Sequence, residues 1–490
     1  MRTALNSPFT PGSDSVPEVW AGRTSQLSDW RDVLRPRRQA GLPERGRTIL
    51  GEAGLGKSTL VRRIARDAAA AGDWVTPQLR IPAGADPLKL VASALLKLAD
   101  EAGLPASREQ SIKDALGRVQ AVAVSGLSLT LRQQEGPEPY TVLTQLLVEI
   151  GRAAIARGNI VVLIHVDEVQ NITDEKALSQ LLIALGDALV HEEPITAPGG
   201  VTVLRSLPIA VYLTGLPDFA DTAGSRVGAT FARRFKTTTL SAIDEEDLAS
   251  AVQPFVIEGW PVADGLGGIS RIRMDPDAAQ AITEVCRGEP FLFQLAGEQA
   301  WYAGTGDVIT RTEVLTGWKA ARAEAVIHVE RILERLPERE SDFLRAMADL
   351  PAKERTLTRI ATEMGLAKAT DAGPTSQRLD SVRGVIERGK PYTFRHRAVE
   401  AYLTSDWPDV PAELTAADAA SVLGVSRPTL MTMVTDGVLA SHEVGARHRF
   451  KPAEVAELAE VRRAARLEAF TKLRELDEAL EEHEEHAASD

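Results

Sequence analysis

Eight consecutive residues, Gly51-Glu52-Ala53-Gly54-Leu55-Gly56-Lys57-Ser58, follow the spacing G-x-x-x-x-G-K-[ST]. Glycines at this spacing let backbone N–H groups curl around phosphate oxygens that a Cβ would obstruct. Lys57 then reaches the β- and γ-phosphates of a nucleotide, and the Ser58 hydroxyl is placed for Mg²⁺. Thr59 continues into a helix whose positive N-terminus faces the same anion. The implied chemistry is binding of ATP with Mg²⁺. A second pair, Asp167-Glu168, ends the apolar run Ile160–Val166. A carboxylate at a strand tip orients Mg²⁺, and the next one polarises an attacking water. Ser58 and Asp167 are therefore candidate metal ligands, and Lys57 and Glu168 candidate catalytic groups. Thr214 ends another apolar run, Ile209–Thr214. There it either bridges the carboxylates and the γ-phosphate or is simply a polar strand end. Arg233 and Arg234 are expected on a helix after a Gly/Ser-rich loop. They stabilise transition-state charge, in cis or from a neighbouring subunit, or they form a solvated face or salt bridge. His165 has no metal-ligand spacing and is expected to face packed helices.

These groups need a scaffold. Arg47–Leu50 reads as a strand, followed at once by the Gly-rich loop and a helix to about Ala70. Trp74–Ile81 reads as a second strand and Asp86–Glu101 as a helix. Tyr140–Ala156 and Ala177–His191 are further helices. Ile160–Val166 and Ile209–Thr214 are unbroken apolar runs, the pattern of strands buried on both faces of a parallel sheet. Strands alternating with helices give an α/β fold with a parallel sheet. From about Asp244 strands are expected to stop. Asp244–Phe255, Asp275–Arg287, Phe291–Ala303 and Arg311–His328 form a small all-α unit. About 110 residues separate Lys57 from Asp167, so residues 105–139 read as an insertion, with a hairpin over Ala121–Arg132. It is either a projecting contact for a partner or DNA, or decoration.

The C-terminal third carries two more modules. In residues 336–406, Glu338–Leu350, Leu357–Gly365 and Thr375–Val382 are helices. Val385–Phe394 is a hairpin turning at Gly389-Lys390-Pro391. The basic residues Arg378, Arg383, Arg388, Lys390, Arg395 and Arg397 cluster there, a set able to bind phosphate backbones or to serve protein contact or autoinhibition. In residues 411–467, Thr415 precedes a small-residue helix, Ala416–Leu423, and Gly424 makes a turn. Ser426 then caps a second helix with Arg427 and Pro428 in its first turn, and Gly437 ends it. Two helices joined this way are a helix-turn-helix. Leu458–Glu485 continues as a charged helix with an apolar stripe, either a dimerisation or partner helix or one folded back on its own domain.

The chain has 490 residues, 44% hydrophobic and 26% charged, with net charge −13. That composition excludes wholesale disorder and predicts about three folded units. The lone Cys286 excludes a disulfide framework and suits a reducing cytoplasm. Neither a membrane span nor a signal-peptide core is evident. The acidic balance argues against DNA binding only as an average. The tail from Glu468 to Asp490 holds nine acids against Lys472 and Arg474, more than half of the excess.

Together the nucleotide motifs resemble those of the AAA+ superfamily of P-loop NTPases, closest to its origin-recognition-like and STAND-like ATPases. The resemblance implies an ATP-hydrolysing core over residues 1–243 and a helical lid over 244–335. The lead-in Val16-Pro17 packs against adenine, with Gly22-Arg23 as its "GR" box. Thr214 stands at the sensor-1 position, and Phe231–Phe235 is similar to an arginine-finger segment. Gly288-Glu289-Pro290 replaces the usual lid arginine and is similar to the G-x-P of STAND proteins, with Pro290 near the nucleotide. Residues 336–406 resemble a winged helix. Residues 411–467 resemble the excisionase-family helix-turn-helix, related to the MerR type, and 468–490 form an acidic helical tail. By that resemblance Ser426, Arg427, Thr429 and Leu430 start a recognition helix, and His442–Arg449 forms a wing with Arg447, His448 and Arg449 at its tip. A helix N-terminus would enter the major groove of double-stranded DNA while the wing holds phosphates. The implied function is a cytoplasmic or nucleoid-associated ATP-dependent switch coupled to DNA, acting as a dimer or larger homo-oligomer. The alternatives are a signalling or defence ATPase with an unidentified protein partner, or an initiator-like DNA loader.

Overall fold

The computed structural model describes residues 1–464 apart from 14, 104–137, 197–199, 220–232, 264–267, 410–413, 445–446 and 453. Two compact units result, Met1–Pro408 and Asp409–Asp490. The insertion with its hairpin, the Phe231-Ala232 half of the finger segment and the acidic tail lie outside the described residues.

The first unit is built on β1 (Gly46–Leu50), β2 (Trp74–Val75), β3 (Leu79–Arg80), β4 (Val162–Asp167), β5 (Glu192–Thr196), β6 (Thr202–Ser206), β7 (Ile209–Gly215) and β8 (Phe235–Thr239). Six of these form one sheet in the order β2-β4-β7-β1-β8, with β3 also on β4, and every pairing is parallel. All residues of β1, β4 and β7 are buried. Alternate side chains divide between two cores. Val162, Ile164 and Val166 of β4 and Ile209, Val211 and Leu213 of β7 join the helices Pro87–Glu101, Pro139–Ala156 and Glu175–Val190. Leu163, Ala210 and Tyr212 face the helix Lys57–Ala70 and Trp30 and Leu34 of the preceding helical stretch. Burial on both faces is why these strands read as unbroken apolar runs rather than alternating ones. The antiparallel ribbon β5–β6 was not evident from the sequence: its short strands are largely exposed and carry no apolar face.

The unit after Asp244 is not all-α. Strands β9 (Trp260–Ala263), β10 (Ile269–Met274) and β11 (Val308–Ile309) make a three-stranded sheet. Ile269-Ser-Arg-Ile-Arg-Met alternates, but it buries only Ile272 and Met274, so its apolar signal is weak. Helices Glu245–Ile257, Pro276–Cys286, Pro290–Tyr302 and Arg311–Leu333 complete this lid.

Residues 336–407 share one continuous core with the lid, in which Leu344, Leu379 and Val399 join Trp318 and Val329. The hairpin expected there is present, β12 (Ile386–Glu387) pairing with β13 (Thr393–Phe394). Four of the six basic residues clustered there meet carboxylates, whereas Arg388 and Lys390 are exposed. Arg378 and Arg383 donate to the two oxygens of the buried Glu340 at 2.9 and 3.0 Å. Arg395 pairs with Asp380 at 2.6 Å, and Arg397 lies 3.3 Å from Asp244. Part of the local positive charge is therefore paired with carboxylates, of which Glu340 is buried and Asp244 exposed.

The N-terminal lead-in belongs to the lid. Arg2 is buried against Glu313 at 2.5 Å, and Phe9 stacks on Phe255 at 5.6 Å. A Cβ at Gly297, on the helix Pro290–Tyr302, would lie 2.3 Å from the Phe9 ring. Among the described residues no helix is long and apolar enough to cross a membrane.

The second unit holds β14 (Leu414–Thr415), the helices Ala416–Val422 and Arg427–Thr435, β15 (His442–Val444) and β16 (Arg447–Phe450). Ala419, Leu423, Leu430, Leu439, Phe450 and Val455 form its core.

Gly297→Ala is expected to displace Phe9 and destabilise the first unit by about 1–3 kcal/mol through overpacking. The readout is a lowered urea midpoint with faster proteolysis within the first 20 residues. An unchanged midpoint and cleavage rate would mean that Phe9 does not anchor the lead-in.

Candidate functional site

The phosphate loop leaves β1 at its C-terminal end, and Gly51 N–H donates to the Gly215 carbonyl at 3.3 Å. Two glycines are required by conformation. Gly54 has φ +86°, and its missing Cβ leaves room for the His328 ring. Gly56, at φ +78°, immediately precedes the helix starting at Lys57. A side chain at either would be strained in that backbone region. Lys57 Nζ donates to the Glu52 carbonyl at 2.9 Å, so its ammonium is folded back along the loop. Burial lowers its pKa, opposed by the charges of Glu168 and Asp167.

The loop and the carboxylate pair are not on adjacent strands. β7 lies between β1 and β4, and this places Thr214 beside Asp167. Thr214 Oγ1 donates to Asp167 Oδ1. Because that hydroxyl proton is committed, Thr214 accepts from His165 Nε2 at 2.9 Å, which sets the tautomer of the imidazole. Burial depresses the His165 pKa and keeps the ring neutral at pH 7. His165, expected merely to face packed helices, thus orients Thr214 across the sheet. Burial alone would raise the Asp167 pKa. Hydrogen bonds from Thr214, Ser58 and Gln78, with the His165 charge interaction, outweigh it and hold the group below the ordinary value of 3.8.

Glu168 begins the turn after β4 with φ 59°, a left-handed conformation unusual for a side-chain-bearing residue. Gln170 Nε2 donates to its carboxylate, and the same Gln170 accepts from Leu216 N–H at 3.1 Å through Oε1. Backbone strain held by specific partners is common where a side chain must be aimed.

A cavity of about 410 Å³ opens over this assembly, within the range of small-molecule sites. Ala53 to Thr59 and Glu168 line it on the core side. Pro17, Arg23 and Pro290 of the expected nucleotide contacts line it as well. Gly51 and Glu52 form the stem of the loop. Val16 and Gly22 are not on the cavity wall. Gly22 instead serves close packing, since a Cβ there would lie 2.9 Å from Asp247 and Ile243. Arg23, also left-handed, donates to the Leu55 carbonyl at 3.0 Å and braces the loop. Its pKa is lowered to about 10 by burial, against the pull of Glu289, Asp247 and Asp244.

Two expectations change. Arg233 and Arg234 sit in a turn entering β8, not on a helix. Arg234 O accepts from Gly46 N–H at the start of β1, the end of the sheet opposite the phosphate loop. Its guanidinium pairs with Asp187 at 2.5 Å. Neither arginine is brought to the cavity of its own chain. Conversely, Arg335 lines the cavity and pairs with Glu52. No motif or spacing marked it, because it follows the helix Arg311–Leu333 in a charge-rich stretch.

In the second unit, Ser426 Oγ accepts from Thr429 N–H at 3.3 Å and caps the helix Arg427–Thr435. Ser426, Arg427 and Thr429 are exposed along its first turn, while Leu430 is fully buried and cannot face a ligand. The wing is a three-stranded antiparallel sheet, β14-β16-β15. Arg447, His448 and Arg449 are within the returning strand, opposite Val444, Glu443 and His442. They are not the tip, as the sequence suggested.

Residues 413–463 match the family model of a helix-turn-helix domain. Comparison with curated proteins gave no match. Among solved structures, the chain is similar to the ORC2 protein of Aeropyrum pernix, solved with ADPNP and ADP. Identity is 16%, covering 82% of this chain and 95% of that one, with a TM-score of 0.45. A Walker-type ATPase of Pyrococcus abyssi matches at 14% identity over 78% and 96%, with a TM-score of 0.46. The Thermotoga maritima RuvB branch-migration motor matches at 13% over 79% and 96%, with a TM-score of 0.34. Likenesses of this size carry no residue correspondence, and the site stands on its own geometry.

Thr214→Val is expected to release Asp167 and raise its pKa. A carboxylate with a depressed folded pKa adds stability above its unfolded value, and that contribution is lost as pH falls through the folded one. The variant should therefore be less stable at pH 7, and its deficit should shrink below about pH 3.8. Parallel pH-stability curves would refute the coupling.

Proposed function

We propose that this chain is an ATP-binding and ATP-hydrolysing switch of the AAA+ type, coupled to double-stranded DNA through its C-terminal helix-turn-helix. The observation that carries the first half is the convergence of a complete phosphate loop, Asp167, Glu168 and Thr214 at one edge of a parallel sheet. The family match of residues 413–463 supports the second half.

A hydroxyl and a carboxylate are oxygen donors of the kind Mg²⁺ takes, usually alongside substrate phosphates and water. The Ser58 hydroxyl lies close enough to lower the Asp167 pKa, so the residues present fit the ion, and these two would hold it. When bound, Mg²⁺ neutralises charge on the β- and γ-phosphate oxygens. Loop N–H groups and Lys57 would hold those phosphates. Glu168, aimed by Gln170, would accept a proton from the attacking water. Pro17 and its neighbours would pack on the nucleobase. The lid residues Pro290 and Arg335, on the same wall, would register which nucleotide is present. A switch needs only differential affinity between two states, so slow hydrolysis suffices.

For DNA, the exposed first turn from Ser426 to Thr429 would enter the major groove, with the strand carrying Arg447, His448 and Arg449 along the backbone. The core that residues 336–407 share with the lid supports a packing role for that block. We assign the protein to the cytoplasm or nucleoid as a regulator. A signalling ATPase with a protein partner is the rival, and absence of any duplex affinity would favour it.

Lys57→Ala should abolish ATP binding. Glu168→Gln should retain binding and slow hydrolysis by about a hundredfold or more. If neither substitution alters ATPase rate in a phosphate-release assay, the assigned site is wrong. Arg427→Ala combined with Arg447→Ala should weaken binding to genomic duplexes co-purified with the protein and flatten its salt dependence. Unchanged affinity and slope would refute the DNA role of this module.

A further inference from the structure

The lead-in reaches the cavity as a loop tied at both ends to one lid side chain. Gln294, on the helix Pro290–Tyr302, is buried. Its Oε1 accepts from Thr10 N–H at 3.0 Å, and its Nε2 donates to the Val19 carbonyl at 2.8 Å. These two main-chain groups therefore stand within about 8 Å of each other, two hydrogen bonds and the width of one amide. Nine extended residues would span about 30 Å, so the chain between Thr10 and Val19 must double back. Packing fixes the same two ends: Phe9 stacks on Phe255, and Val19 is buried in the core it shares with the lid. Between the ties, Gly12, Ser13, Ser15 and Pro17 line the cavity.

A wall made of loop backbone holds a ligand well only if its shape exists before the ligand arrives, because ordering a free loop costs binding energy. We propose that Gln294 is the positioning residue for nucleobase recognition: by tying Thr10 to Val19 it keeps the lead-in wall in shape for a purine. This rests on the nucleotide site proposed above and names what sets its preference for a base. The amide spends both its oxygen and its nitrogen on main chain, so the residue acts through the loop it ties. Pro17, Val19 and Phe291 give the lining an apolar surface. A purine offers such a surface a larger flat face than a pyrimidine, and burial favours it. The hydroxyls of Ser13 and Ser15, 2.7 Å apart on the same stretch, supply polar groups for a base or ribose edge. The phosphates fall to residues 53–59, which Gln294 does not hold.

The test is calorimetric titration of the full chain with ADP and, separately, with CDP, both with Mg²⁺, since the two carry the same phosphates. The wild-type chain should prefer ADP by about tenfold or more. Gln294→Leu keeps a similar volume and removes both ties. It should weaken ADP by about tenfold, the size expected for two lost hydrogen bonds, and leave CDP within about threefold. Gln294→Glu keeps the acceptor for Thr10 N–H and donates to the Val19 carbonyl only when protonated. Its ADP affinity, relative to wild type at the same pH, should recover as pH falls through the raised pKa of a buried carboxylic acid. A residue that only stabilised the lid would weaken both nucleotides alike and give no such recovery. Equal weakening, an unchanged ADP affinity in Gln294→Leu, a pH-independent deficit in Gln294→Glu, or a wild-type chain without base preference would overturn the inference while leaving the phosphate site standing. Failure of the wild-type chain to bind either nucleotide would overturn both.

Discussion

A carboxylate can be kept charged inside a protein only if donors replace the water it has lost. Asp167 is 1% exposed, and its donors come from three elements: Thr214 on β7, Ser58 on the phosphate-loop helix and Gln78 beside β3. That single requirement fixes the relation of β4 to its neighbours. It demands that β7 carry a hydroxyl at its end and that an imidazole behind it donate a hydrogen bond to that hydroxyl. The same requirement ties the loop to the sheet, since Ser58 is one residue beyond Lys57 of that loop.

Most of this was legible in the sequence because it is local. The phosphate loop is eight consecutive residues, and the apolar runs before Asp167 and Thr214 show strands buried on both faces. The bridging position of Thr214 could be stated as one of two options, because strand order is not written in any run of residues. What the sequence concealed is non-local. Arg335 meets Glu52 across 283 positions, and no pattern near either residue announces the other. The lid strands were hidden for another reason: β9 and β10 bury few side chains, so alternation there lacks hydrophobic contrast. The net charge of the basic cluster at Arg378–Arg397 is smaller in the fold than in the sequence, because one-dimensional counting weighs only nearby acids. Glu340, which takes up two of those arginines, lies 38 and 43 residues upstream.

The phosphate loop is also in contact with the block that follows the lid. Glu289, at the head of the helix Pro290–Tyr302, is fully buried. Burial would raise its pKa, but His396 and His328 together hold it well below the carboxylate range. His396 belongs to the block beyond Leu336 and lies 3.1 Å from Glu289, whereas His328 belongs to the lid. The next residues onward return to the phosphate loop: Phe291 N–H donates to the Gly54 carbonyl at 3.2 Å. Three segments of chain therefore converge on one anion immediately behind the phosphate loop.

The convergence at Glu289 makes influence run both ways. If occupancy of the loop shifts the arrangement around His396, then anything that grips the block beyond Leu336 must alter nucleotide affinity by the same factor, because coupling free energy has no direction. A partner bound there would act as an exchange factor or its opposite without ever touching a phosphate, and the nucleotide would in turn decide how firmly that partner is held.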